Sequence, residues 1–190
     1  MAADAIELLA ISGSLRRDSF NRGLLRAAQE LAPEGVRIEP YDEWAAAEAF
    51  DEDVEGSPLP GAASLLERIR AADGLLIATP EYNGGVPGAL KNALDWASRP
   101  HGLGPLAGKP VAVVSSSPSP FGATWAGEQL RRALTLSGAL LVGEELAIGK
   151  VDERFSRGEL ADSETRAQIA ELIEELAASI DAVATQEVAA

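Results

Sequence analysis

The sequence predicts a doubly wound α/β sandwich, a central parallel sheet covered by helices on both faces. Apolar runs of strand length, such as GLLIAT at 74–79, recur along the chain. Runs of that kind, rather than alternating patterns, mark strands buried on both faces of a parallel sheet. Helical periodicity fills the stretches between them, and strand and helix keep alternating, as right-handed crossovers require.

Residues 6–12 form the first strand, which stops at Gly13. The first helix follows over 20–31, with Phe20, Leu24, Leu25, Ala28 and Leu31 at helical spacing. A shorter strand covers 35–40, and a helix over 62–72 turns Leu65, Leu66 and Ile69 inward. The third strand is 74–79, and Pro87, suited to a first helical turn, leads a helix over 88–98. A fourth strand at 111–115, a helix near 126–136 and a fifth strand at 139–146 continue the pattern. The last helix, 164–183, carries Ile169, Leu172, Ile173, Leu176 and Ile180 on one stripe. A chain of 190 residues has no room for a second domain, so 1–185 is expected to be one unit and 186–190 a frayed tail.

Composition removes several classes of function. A net charge of −14 opposes nucleic-acid binding, and the absence of cysteine excludes disulfides, thiolate nucleophiles and sulfur-held metal clusters. One histidine, His101, excludes a multi-histidine metal site and reads as a solvated loop residue. No apolar run approaches the roughly 20 residues of a membrane span, and the start lacks the basic opening and cleavage-site pattern of a secretory signal. A cytoplasmic protein with no membrane partner is expected. Eight carboxylates and no Lys or Arg lie between 39 and 55, a solvated acidic face without calcium-loop spacing.

Ligands of such sheets sit beyond the carboxyl ends of the strands where strand order reverses. The loops after strands one, three and four hold the unusual residues. After strand one the chain reads Ser12-Gly13-Ser14-Leu15-Arg16-Arg17-Asp18-Ser19-Phe20-Asn21. Hydroxyls, an amide and guanidinium groups meet there at a helix N-terminus, where free N–H groups favour anions. Neither the dinucleotide fingerprint nor the Walker pattern is present, so the loop suits a monophosphate, while Ser19 or Asn21 caps the helix. After strand three, Pro80-Glu81-Tyr82-Asn83-Gly84-Gly85-Val86-Pro87 combines rigid and permissive residues that let backbone approach a flat ligand.

The stretches GSLRRDSFN and PEYNGGVPGALKNALDW resemble the NADPH-dependent FMN reductase family, the flavodoxin-like group that includes quinone, chromate and azo-dye reductases. The resemblance spans about 6–149 and takes in Gly108-Lys109-Pro110. It implies a flavodoxin-like five-stranded parallel sheet of order 2-1-3-4-5, bound FMN, and NADPH or NADH as electron donor. By this resemblance Ser14, Arg16, Ser19 and Asn21 hold the FMN phosphate, and Pro80, Glu81, Tyr82, Asn83 and Gly84 border the ring. Ser117, after strand four, is a further flavin contact. Two departures stand out: Gly122-Ala123-Thr124-Trp125 replaces a Gly-Gly-Ala-Arg run common in relatives, and Pro118 and Pro120 stiffen a loop that is often glycine-rich.

Flavin chemistry needs no catalytic His or Cys. The implied activity is therefore NAD(P)H-driven reduction of a small-molecule acceptor, in a homodimer or homotetramer. Leu90, Leu94 and Trp96 either build that interface or cover the sheet. The alternatives are an electron carrier without NAD(P)H chemistry, for which the acidic surface would serve, and a flavin-free structural relative. A cysteine phosphatase would share the anion loop but lacks its nucleophile here.

Overall fold

Alternation along β1 (Ile6–Ser12) sends Leu8 and Ala10 to one layer and Leu9 and Ile11 to the other, and all four are buried. In the computed structural model, which describes residues 5–189, the same division holds for β3 (Gly74–Thr79) and β4 (Pro110–Ser116). One layer contains α1 (Phe20–Leu31) and α5 (Ser163–Ala189), packed on Leu8, Leu76, Ala112 and Val114. The other contains α2 (Pro60–Ala71), α3 (Gly88–Ala97) and α4 (Thr124–Leu136), packed on Leu9, Leu75, Ile77 and Val113. With β2 (Val36–Pro40) and β5 (Leu140–Ile148) at the edges, the sheet is parallel throughout, in the order β2-β1-β3-β4-β5. This is the expected order.

Leu90, Leu94 and Trp96 are buried in the layer that covers the sheet, so they are core residues rather than interface residues. β5 begins one residue later than expected and runs on to Ile148. A register shift between Ala112 and Val114, with Gly143 at φ 71°, accommodates the polar Glu144-Glu145 pair within the strand. α5 is helical to Ala189, where a frayed tail is expected from 186, and residue 190 lies outside the described residues. A two-stranded hairpin, Phe155–Ser156 with Glu159–Leu160, precedes α5 and was not legible in the sequence. Its Phe155 packs on Phe20 at 5.2 Å between ring centroids, and Gly23 makes room, since a Cβ there would lie 2.5 Å from that ring.

The acidic stretch is more than a solvated face. Tyr41 and Trp44 are buried beneath it, and two 3-10 turns, Glu43–Ala46 and Glu52–Val54, shape its path. The α2 N-cap, Leu59, offers no capping side chain, and the Glu48 carboxylate takes that role by accepting from Ala62 N at 2.9 Å and Gly61 N at 3.3 Å. Asn92 and Trp96 of α3 hold the segment from below: Asn92 Nδ2 and Trp96 Nε1 donate to the Glu48 carbonyl at 3.0 and 2.7 Å, and Phe50 N donates to Asn92 Oδ1 at 2.8 Å.

Asp162 performs the same service for α5. Its carboxylate accepts from Thr165 Oγ1 at 2.5 Å, Thr165 N at 2.9 Å and Arg154 Nη1 at 2.9 Å. These contacts hold its pKa below the ordinary carboxylate range, the Thr165 hydroxyl contributing most, then the Thr165 N–H, then Arg154. The stabilisation is complete above the unfolded value of about 3.9 and is lost as pH falls through the lowered folded value. Asp162→Ala is therefore expected to lower the melting temperature at neutral pH. The gap from the parent protein should close in strongly acidic buffer, as read by thermal melts across the acid range.

Candidate functional site

Parallel pairing aligns the ends of the central strands, and Ser12↔Ala78 and Thr79↔Ser115 are direct register partners. The three loops that follow leave the sheet side by side. In the first, Gly13 N donates to Ala78 O at 2.8 Å, and the Ser12 hydroxyl accepts from Ser14 N at 3.3 Å while donating to Ser14 O at 3.2 Å. Gly13 packs closely on α3, since a Cβ there would sit 2.9 Å from Leu90 Cδ2 and would make that side chain shift. The loop delivers the chain to Ser19, which caps α1 by accepting from Asn21 N at 3.2 Å. Of the two expected caps, Ser19 is the one used.

Asn21 is turned the other way. Its Oδ1 accepts from Ser116 Oγ at 3.0 Å across 95 residues of sequence, leaving the amide NH2 free to donate. Both side chains are buried. Arg16 is exposed and, among the described residues, makes no ion pair.

The second loop is a tight hairpin turn. Tyr82 N donates to Gly85 O at 3.0 Å and Gly85 N to Tyr82 O at 3.2 Å, with Asn83 and Gly84 at φ 53° and 76° between them. Positive φ at both central residues favours Asn-Gly, the pair present here. The turn uses the N–H groups of Tyr82 and Gly85 and leaves those of Asn83 and Gly84 at its tip. Two side chains fasten this loop to α4: Glu81 Oε2 accepts from Ala126 N at 3.3 Å, and Gln129 Oε1 from Val86 N at 2.7 Å. Glu81 thereby serves the N-terminus of a helix whose own N-cap, Ala123, has no capping side chain.

The third loop begins with a serine turn. Ser117 Oγ accepts from Ser119 N at 2.9 Å and donates to Ser119 Oγ at 2.9 Å, so its hydroxyl is committed locally. A cleft of about 150 Å3 lies between the three loops. Ser14, Arg16, Ser19 and Asn21 line one side, and Pro80, Glu81, Tyr82 and Ser117 line the other. Asn83 and Gly84 are not among the lining residues; they stand at the exposed rim. Sequence reasoning missed Ser116, Phe20 and Val151, which also line it. Strand alternation does point to Ser116, since it shares a face with Val114 and Ala112, the face that α1 covers. His101 is exposed in the connection between α3 and β4 and lines no part of the cleft.

Hydroxyl, amide and guanidinium donors gather at the N-terminal end of α1, a chemistry suited to a compact anion. The volume is half the lower end of the roughly 300–1,000 Å3 usual for ligand pockets, so a larger ligand must extend past Tyr82 onto the open side. This sheet order, with a cleft at the carboxyl ends of β1, β3 and β4, defines a flavodoxin-like protein.

Residues 6–153 match the family model of NADPH-dependent FMN reductases, and the chain belongs to that family. It is 41% identical over 177 residues to an NAD(P)H-dependent FMN reductase of Pseudomonas aeruginosa, covering 92% of this chain and 95% of the relative. A 2-hydroxy-1,4-benzoquinone reductase of a Burkholderia species is 35% identical, over 92% of this chain and 96% of its own length. Among solved structures, the flavoenzyme NAD(P)H:(acceptor) oxidoreductase FerB of Paracoccus denitrificans superposes with a TM-score of 0.83 at 30% identity, covering 93% of this chain and 98% of its own.

The departure from the family's Gly-Gly run has a structural reading. Gly122 and Ala123 have φ of 64° and 63°, so Ala123 sits in the left-handed region that glycine occupies without strain. Ala123→Gly is expected to leave stability unchanged or raise it by up to about 1 kcal/mol. Gly122→Ala should lose about 2–4 kcal/mol, because it adds left-handed strain to a Cβ placed 2.7–2.8 Å from the backbone of 147–149. Urea unfolding of both variants checks the opposite signs.

Proposed function

We propose that this chain is an FMN-dependent NAD(P)H oxidoreductase that reduces quinones and similar acceptors, including azo compounds, chromate and free flavin. The observation that carries this reading is the cleft: donors from Ser14, Arg16, Ser19 and Asn21 converge at a helix N-terminus, one loop away from a rigid turn with free amides. That donor set fits FMN. A phosphate dianion suits the helix N-terminus and Arg16, and a planar ring suits the open side beside Tyr82, with Asn83, Gly84, Pro80 and Glu81 at its edge.

Bound FMN supplies hydride acceptance from the nicotinamide and electron delivery to the acceptor. The residues do the holding and the orienting. Ser19 accepts from Asn21 N, which leaves its O–H to donate to a phosphate oxygen. Ser116 fixes the Asn21 carbonyl oxygen and so aims the amide donors. Glu81 and Gln129 brace the Tyr82 turn, so the tip amides stay in place for polar ring atoms and stabilise charge there. Ser117, with its hydroxyl committed to Ser119, contributes by shape.

The reading takes 1–185 as one FMN-binding domain that works in the cytoplasm, where reduced nicotinamide is supplied. Among the described residues no helix is long and apolar enough to cross a membrane. We place the working form as a homodimer or homotetramer. Tyr82 lines the cleft, Trp125 lies 3.7 Å from where a Cβ on Gly84 would stand, and Phe121 belongs to the third loop; exposed to 49, 67 and 76%, they offer apolar surface that a second copy would cover.

Two measurements test the proposal. Mixing the FMN-loaded protein with NADPH in a stopped-flow instrument should bleach the flavin within seconds, and persistent colour would favour an electron carrier. Arg16→Ala should weaken FMN binding by about 1.5–3 kcal/mol, roughly ten- to a hundredfold in Kd by fluorescence titration.

A further inference from the structure

Lys and Arg number 16 against 30 Asp and Glu, yet four arginines, Arg16, Arg17, Arg22 and Arg26, fall within residues 16–26 beside a single carboxylate, Asp18. Arg16 and Arg17 diverge. Arg16 lines the cleft described above, whereas Arg17 lines a second cavity of about 390 Å3 on the β2 side of the same loop. Ala10, Leu25 and Pro40 give that cavity apolar surface, while Arg17, Arg22 and Arg26 give it positive charge. Asp42 is its one carboxylate, and it is paired with Arg22 Nη1 at 2.7 Å. Three arginines against that carboxylate leave two positive charges. Arg17 and Arg26 make no ion pair among the described residues, and Arg22 Nε is buried without a partner. The volume falls within the roughly 300–1,000 Å3 range of ligand pockets.

We propose that this cavity receives the adenosine end of the nicotinamide dinucleotide, with the 2′-phosphate of NADPH held by Arg17 and Arg26. The inference rests on the NAD(P)H-dependent reading. A flat base suits the apolar surface, and planar guanidinium groups match phosphate oxygens in pairs. The cavity and the cleft share one loop as a wall, since Ser12 lines the cavity while its hydroxyl fixes Ser14 in the cleft, so one extended dinucleotide can reach both. A surface of net charge −14 repels a polyanionic substrate except where positive charge is concentrated, and residues 16–26 concentrate it beside the cleft. NADPH and NADH differ by that single phosphate, so such a site discriminates between them.

Isothermal titration of the FMN-loaded protein with adenosine 2′-phosphate and with adenosine 5′-diphosphate tests the proposal. The 2′-phosphate should bind at least about tenfold more tightly. Arg17→Ala and Arg26→Ala should each weaken that binding about tenfold or more and lower the NADPH-over-NADH ratio of kcat/KM by a similar factor. Equal affinity for the two probes, or unaltered binding in both variants, would overturn the proposal. So would loss of flavin colour from Arg17→Ala, which would assign that arginine to the FMN cleft. A parent protein that fails to oxidise NADPH defeats the oxidoreductase reading itself. Brisk NADPH oxidation together with unaffected variants defeats only the second-cavity assignment.

Discussion

Burial of β1, β3 and β4 on both faces is the constraint on which the rest of this structure depends. A strand with apolar side chains on both sides has no solvent face to which it can slip, so a one-residue error in register would exchange the two layers of the core. The observed pairings keep Leu8 and Leu76 with α1 and α5, and Leu9 and Ile77 with α2, α3 and α4. That register brings Ser12, Thr79 and Ser116 together at the carboxyl ends of the central strands, and the cleft is assembled from the loops that begin there.

The polar groups around the cleft are ordered by one another. Ser116 reaches Asn21 from the end of β4, and Ser19 reaches the Asn21 N–H from the start of α1, so the same asparagine joins the sheet to the helix. Glu81 and Gln129 join the Tyr82 turn to α4 in the same manner. The two bonds of Asn21 satisfy groups that would be costly to bury alone, and together the four fix which donors remain free.

The strand-helix order and the three loops were legible because each rests on local composition, whereas the sheet order was implied by the family resemblance that the loop motifs carry. Apolar runs read as buried strands, and Ser-rich and Gly-Pro-rich ends read as loops. Most of the expected site residues line one cleft, yet Ser116 was missed although it stands next to Ser117. Both serines line the cleft, but their hydroxyls are used differently: that of Ser117 is bound within its own loop, while that of Ser116 reaches Asn21, 95 residues away, a contact that strand alternation hints at and only the fold brings about. The hairpin before α5 was hidden for another reason. Its two-residue strands carry no periodicity, and its place is set by Phe155 entering the space that Gly23 leaves.

The acidic stretch between β2 and α2 shows how a repulsive segment can be kept in place. Asn92 and Trp96 grip its backbone with uncharged donors, and buried Trp44 anchors it from within. Neutral hydrogen bonds and apolar contact are little affected by dissolved ions, whereas surface ion pairs weaken as they are screened. Added electrolyte therefore screens both the mutual repulsion of the carboxylates and the ion pairs that Glu39, Asp42 and Glu55 make with Arg68, Arg22 and Arg99, and leaves the uncharged grip on the Glu48 carbonyl to carry this flank in brine.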